Sequence, residues 1–227
     1  MRNSQSKILR SALSILYSIL FCALVLALSV TDADAVTLSS KYVSPRNKER
    51  EVRKSTKFII LHTTEGAAAG SLKKLSANGE CHYAIDTDGK TYRIIDRSRI
   101  AFHCGLSMWN GLEDIDKCSV GIEMVGYHDK KPTAKQIASL KELLAELKKN
   151  YKLTDENILT HSMVAYGTPN RWQKQNHRGR KRCAMIFADT QLRKQLGIME
   201  KPSRDPDIKA KRLADGDPEL TRTLYAK

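Results

Sequence analysis

Internal repeats are absent from this 227-residue chain, which excludes the solenoid and propeller architectures that repeats build. Aromatic residues are few, 6% of the total with two tryptophans. They do not interleave with basic residues in the way single-strand nucleic-acid binders require. Acidic residues are in deficit: 25 Asp and Glu stand against 39 Lys and Arg, a net charge of +14 at pH 7. That balance favours an anionic partner, whether nucleic acid, a lipid surface or an acidic cell-wall polymer. Cysteine is scarce, with five in the whole chain.

One long apolar stretch is present, Ser11 to Val30. Arg2, Lys7 and Arg10 precede it, and Thr31 to Ala35 follow with an Ala-x-Ala ending. This order predicts a secretory signal over residues 1–35, cleaved after Ala35. The stretch is also long enough to span a bilayer, so an uncleaved anchor is the rival reading. Cys22 does not read as a lipid-attachment site, because Phe21 before it is bulky and the apolar run continues past it. Cleavage would remove three basic and two acidic residues, leaving 192 residues with a net charge of +13. That length supports one domain with a real core. A periplasmic or secreted location is expected, with no nucleic acid as partner, no stable membrane association after cleavage, and a monomeric state. Cys81, Cys104, Cys118 and Cys183 remain. An even count in an exported chain invites two disulfides. If one cysteine binds a metal, at most one internal bridge forms, and Cys104 with Cys118, flanking the Trp109 loop, is the expected pair.

Within the mature chain, residues 36–54 are polar and read as an irregular lead-in. Phe58 to Leu61 is a continuous apolar run that ends in His62, which predicts a central strand buried on both faces. A histidine at such a strand end binds metal, acts as a base or hydrogen-bonds a neighbour. One or two helical turns are expected over 71–75. Asp88 and Gly89 between the β-rich runs 81–86 and 91–96 predict a hairpin, and 99–103 is a short strand candidate. Ser119 to Val125 predicts a strand with Val120, Ile122 and Met124 on one face and Ser119, Gly121 and Glu123 on the other. A mid-strand carboxylate near a glycine implies a solvated face or a site in front of it. Thr133 and Gln136 form a capping box that opens a helix to about Asn150, with Ile137, Leu140, Leu143, Leu144 and Leu147 as its core stripe. Residues 157–161 read as a strand ending in His161, 166–182 as a long basic loop, and 187–196 as a helix closed by Gly197. Residues 198–227 read as a charged tail or linker. The fold class is α/β: a central mixed β-sheet flanked by α-helices in a single domain.

His62 after its strand, Phe102-His103-Cys104-Gly105, Ser119 to Met124 with Glu123, Leu159-Thr160-His161 and Lys181-Arg182-Cys183 occur in the order of zinc-dependent N-acetylmuramoyl-L-alanine amidases. The chain resembles that family, a superfamily shared with phage-lysozyme-type amidases and peptidoglycan recognition proteins, over residues 55–197. The resemblance implies zinc at the strand ends, held by His62, His161 and Cys183, three protein ligands with one position open. Cys183 stands where other members place an aspartate; its alternative is one half of a disulfide. The resemblance further implies that Glu123 deprotonates water, and that Lys181 holds the oxyanion. His103 reads as a substrate-facing or supporting group without a ligand role. Trp109 and Trp172 are candidate substrate contacts, the latter within a 166–182 insert whose cations suit stem-peptide carboxylates. Two departures stand out: Cys81 occupies the place of a tyrosine found in phage-type members, and Tyr166 to Pro169 replaces the usual small residues. The implied partner is peptidoglycan or released muropeptides. Two rivals stand beside this reading: a non-catalytic peptidoglycan-binding protein, though such members of the superfamily commonly lose the ligand cysteine that this chain keeps as Cys183, and a zinc peptidase cutting elsewhere in the stem.

Overall fold

The computed structural model describes residues 36–226; the expected signal or anchor over 1–35 lies outside the described residues. Six strands form one mixed sheet: β1 (Leu38–Ser39), β2 (Phe58–Thr63), β3 (Tyr83–Ile85), β4 (Thr91–Arg93), β7 (Ser119–Met124) and β8 (Ile158–Thr160), in the order β1-β4-β3-β7-β2-β8. A separate two-stranded ribbon, β5 (Met108–Trp109) with β6 (Leu112–Glu113), sits in the loop between β4 and β7. The β3–β4 pair is antiparallel, as the Asp88-Gly89 turn predicts, while β3, β7, β2 and β8 run parallel.

The apolar run at 58–61 lies second from one edge of the sheet, between β7 and β8, and all six residues of β2 are buried. The pleat sends Ile59 and Leu61 to one face, with Val120, Ile122 and Met124 of β7 beside them. Against that face packs α2 (Ala134–Tyr151), through Leu140, Leu143, Leu144 and Leu147. Its start is set by the capping box: Gln136 N donates to Thr133 Oγ1 at 3.1 Å, and Thr133 N donates to Gln136 Oε1 at 3.0 Å. Each of those four leucines contributes about 1.5–3 kcal/mol by leaving water. The opposite face carries Phe58 and Ile60, covered by Leu159, Met163, Trp109 and Ile115. Helix α1 (Ala68–Asn78) packs Leu72 and Leu75 against Cys81, Ala84 and Tyr92 on that side.

Several local expectations change. The helix foreseen at 71–75 extends over Ala68–Asn78. Residues 99–103 form only an isolated bridge, Val52 with Arg99. His161 does not end β8; it opens a short helix, α3 (His161–Val164). The helix over 187–196 splits at Asp189 into a 3-10 turn (Met185–Ala188) and α4 (Thr190–Gln195), because the Asp189 carboxylate accepts from Leu192 N and starts a new N-cap. All four cysteines from 81 onward are free thiols, so the expected Cys104–Cys118 bridge is absent; the Cys104 thiol turns instead to His103 Nδ1 at 3.0 Å.

The largest difference concerns residues 198–226, expected as tail or linker. They fold onto the rest of the unit through α5 (Pro206–Lys209) and α6 (Pro218–Tyr225). Leu220 and Leu224 join the cluster beneath Phe58 and Ile60. Arg178, 3% exposed, donates to Asp205 Oδ2 at 2.6 Å and Asp207 Oδ2 at 3.0 Å, and also to the carbonyls of Met108, Val164 and Ala165. High charge misleads here because the charges are paired: burial is tolerated when every charged group finds a partner. Among the described residues no helix is long and apolar enough to cross a membrane.

Candidate active site

The pleat that sends Leu61 to α2 sends His62 to the other face. Parallel pairing sets His62 directly beside Glu123 of β7, so the two side chains emerge together at the carboxyl ends of their strands. His161 arrives at the end of the adjacent strand β8, and the imidazoles of His62 and His161 lie 4.6 Å apart, centroid to centroid. Cys183 comes from the loop before the 3-10 turn, with Sγ 3.8 Å from His62 Nδ1. One ligand atom each from His62, His161 and Cys183 falls within 4.8 Å of the other two. These three residues, Glu123, His103 and Lys181 line one cavity of about 580 Å³. Arg180 and Arg182, with Lys74, make part of its wall basic; Glu65 and Glu80 make another part acidic; Phe102, more than half exposed, stands at its edge.

Hydrogen bonds turn each histidine. His161 Nε2 meets the Cys104 carbonyl at 3.0 Å and must donate to it, which leaves Nδ1 with a free lone pair. His62 Nε2 lies 3.0 Å from His103 Nδ1. His103 Nε2 in turn reaches Ser119 Oγ at 3.3 Å, whose hydroxyl donates to the Ile115 carbonyl at 2.7 Å. With the Ser119 proton committed, His103 donates from Nε2 and accepts at Nδ1, so His62 carries its proton on Nε2 and offers Nδ1 toward Cys183. Asp116 Oδ1 fixes this turn of chain by accepting from the backbone N–H groups of His103 and Cys104 at 2.9 and 2.8 Å. Gly121 makes room for it: a Cβ there would stand 2.6–2.7 Å from three atoms of the His103 ring.

Burial decides the protonation states. It holds His62 well below its ordinary pKa, with repulsion from His161, His103 and Lys181 adding to the effect. It lowers His161 to about 4. Both imidazoles are therefore neutral, the form that ligates a metal. Burial, then the neighbouring Glu80 carboxylate, raises Glu123 to about 8. Burial and the charge of Glu123 raise the Cys183 thiol to about 12. The thiol and the carboxylic acid are both held from ionising chiefly by burial, and a cation bound beside them would reverse that balance. One oxygen of Glu123, Oε2, is buried with no hydrogen-bond partner. The donor set of two neutral imidazoles and a thiol matches zinc, and a coordinating thiol loses its proton to the ion. His62, His103 and Cys104 form a second close trio. His103 Nδ1 stands 3.0 Å from both His62 Nε2 and Cys104 Sγ, and its one lone pair is taken by the His62 N–H, so this trio is the support of the first.

Trp109 and Trp172 are not brought to this cavity. Trp109 is buried in the cluster with Phe58 and Ile60, and Trp172 stands 72% exposed with the Arg171 guanidinium 3.9 Å over its ring. Cys81 lies wholly buried among Leu72, Leu75 and Ala84. Nothing in the sequence marks Asp116, Thr63 or Glu65 for the site; Ser119 shares a strand face with Glu123, and Gly121 carries a signal of its own, since a glycine inside a strand marks a close approach.

Fold and site together define an α/β protein with a pocket at the ends of parallel strands in which two histidines and one cysteine stand close enough to hold a metal ion. The family model described as N-acetylmuramoyl-L-alanine amidase matches residues 52–183, and the chain belongs to that family. It is 31% identical over 132 residues to a Rickettsia conorii protein assigned as an N-acetylmuramoyl-L-alanine amidase, which covers 57% of this chain and 47% of that one. It is 31% identical over 85 residues to the 1,6-anhydro-N-acetylmuramyl-L-alanine amidase AmpD of Haemophilus influenzae, 37% of this chain and 46% of that one. The chain thus spans about half the length of these relatives. Among solved structures, AmpDH3 of Pseudomonas aeruginosa superimposes with a TM-score of 0.51 at 22% identity, covering 77% of this chain and 71% of that one. An AmpD structure gives 0.50 at 20%, covering 61% and 88%. Both likenesses concern the fold.

Proposed function

We propose that the protein is a zinc-dependent hydrolase of peptidoglycan that cleaves the amide between N-acetylmuramic acid and L-alanine. The observation that carries this reading is the convergence of His62, His161 and Cys183 with a partnerless Glu123 oxygen in one cavity. His62, His161 and Cys183 would hold the ion, His62 and His161 as neutral imidazoles. Zinc, when bound, would polarise the scissile carbonyl and bring the pKa of water to about 7. Beside a cation held by the three ligands, Glu123 would favour its ionised form; its free carboxylate oxygen then takes the proton from the attacking water and delivers it to the departing alanine nitrogen. Lys181 donates to the oxyanion that develops as the carbonyl carbon becomes tetrahedral, a role worth ~3 kcal/mol. His103 holds His62 in the tautomer that presents Nδ1. The basic wall of Arg180 and Arg182 suits the carboxylates of a stem peptide.

The substrate is peptidoglycan or its released muropeptides, and the place of action is the periplasm or outside the cell, following export on residues 1–35. Digestion of purified sacculi, with mass spectrometry of the products, tests the reading. Release of intact stem peptides beginning with L-alanine, abolished by chelation and restored by zinc, is the expected result. Cuts elsewhere in the stem would make it a peptidase, and binding without any cut would make it a recognition protein.

A further inference from the structure

Two non-glycine residues beside the site occupy the left-handed region of backbone space: Glu65 at φ 54° and Ala184 at φ 61°. Residues with a Cβ enter that region at a cost, and they stay only where the surroundings hold them. Both are held by the same atom. The Thr63 hydroxyl donates to Glu65 Oε1 at 2.6 Å and accepts from Ala184 N at 2.9 Å. Ala184 directly follows Cys183, and Thr63 directly follows His62, so this hydroxyl joins the two chain segments that carry two of the three ligands. The link is reinforced twice. Thr63 N donates to Cys183 Sγ at 3.3 Å. The other oxygen of Glu65 pairs with His128 Nδ1 at 2.8 Å, and the His128 carbonyl accepts from Ile186 N at 3.1 Å. The result is a closed ring: Thr63, Glu65, His128, Ile186, Ala184 and back to Thr63.

We infer that Thr63 is a positioning residue for the metal centre, its hydroxyl setting where the Cys183 sulfur stands relative to His62, with Glu65 and His128 as its brace. This rests on the metal-centre reading above. Without the hydroxyl, Ala184 N loses its acceptor, and the turn keeps only its backbone bonds, from Ser162 N to the Cys183 carbonyl at 3.1 Å and from Phe187 N to the Ala184 carbonyl at 3.0 Å; the sulfur then has more freedom to shift relative to the histidines. Groups that orient metal ligands typically change metal affinity by about 10–100-fold when removed.

The test uses the purified full-length protein, stripped of metal and titrated with zinc against a competing chelator. Cobalt(II) serves as the spectroscopic probe, because a thiolate ligand gives a sulfur-to-metal charge-transfer band. Thr63→Val keeps the shape and loses the hydroxyl. It should bind zinc about 10–100-fold more weakly and lose or shift the cobalt–sulfur band, while its metal-free melting temperature shows that it folds. Thr63→Ser should stay close to wild type in both readouts. Glu65→Ala, at a half-exposed position, should lose affinity in the same direction by a smaller factor, and it decides alone if Thr63→Val does not fold. Wild-type affinity and an unchanged cobalt band in a folded Thr63→Val or, failing that, in Glu65→Ala overturn the inference while leaving the metal centre intact. A wild-type protein that binds neither ion overturns the metal-centre reading and the inference with it.

Discussion

Gly121→Ala adds one methyl group and nothing else, at a place where the surroundings leave it no room. The new Cβ would meet His103 Cγ at 2.6 Å and Cδ2 and Nδ1 at 2.7 Å. Gly121 lies in a fully buried strand, and the His103 ring is closed in by His62, Cys104 and Ser119. Overpacking of that kind costs about 1–3 kcal/mol. A ring displaced far enough to relieve it also gives up the 3.0 Å contact with His62 Nε2, and losing one such bond adds about 1 kcal/mol. The total of about 2–4 kcal/mol corresponds to a fall in melting temperature of about 4–16 °C for a chain of this size. His62 would no longer be held with Nδ1 toward Cys183, so zinc affinity should fall by about 10–100-fold. Calorimetry and chelator competition on the same preparation read both quantities. His103→Ala in the Gly121→Ala background removes the clash, so the double variant should be less destabilised than the two single changes summed. Gly121→Ala with wild-type melting and zinc affinity, or strict additivity in the cycle, would refute the argument that the glycine exists to seat His103.

Glu123→Gln keeps the shape and loses the proton acceptor; hydrolysis should drop by a hundredfold or more with zinc content unchanged, and near-wild-type turnover would remove Glu123 from the chemistry. Arg178→Met leaves Asp205 without its charged partner and Asp207 with Arg212 alone. A loss of about 3–5 kcal/mol in urea unfolding is expected, and a loss under 1 kcal/mol would mean that residues 198–226 do not depend on this network. His82 is lowered from 6.5 to about 3 by burial, with Arg53 adding repulsion. Its folded pKa lies below its unfolded one, so its contribution is fully present above pH 6.5 and is lost as pH falls toward 3, a change on the order of 5 kcal/mol. Urea midpoints at pH 7, 5 and 4 should fall steeply in the wild type and less steeply in His82→Gln; equal slopes would contradict the assignment.

Local chemistry was legible in the chain itself. The unbroken apolar run at 58–61 suits a strand buried on both faces, and the Thr133–Gln136 box with its leucine stripe suits an amphipathic helix, whose 3.6-residue period the stripe follows. The order of His62, Glu123, His161, Lys181 and Cys183 carried the family resemblance. Two signals in the last thirty residues went unread: Asp205-Pro206 and Asp217-Pro218 are both a capping aspartate followed by proline at the first helical position, and Leu220 and Leu224 share one face of the second helix. The segment looked like a linker because its charge was counted without its partners. Tertiary structure alone decided the rest. That His103 stands behind His62 depends on a turn held by Asp116 and a gap left by Gly121. That Cys183 is a free thiol beside His62 depends on where the Thr63 hydroxyl holds the chain after Cys183. That Trp109 is core and not substrate contact depends on which face of the sheet its ribbon covers. Each of these is a contact between residues far apart in the chain, and no periodicity in a sequence encodes which distant partner a side chain will meet.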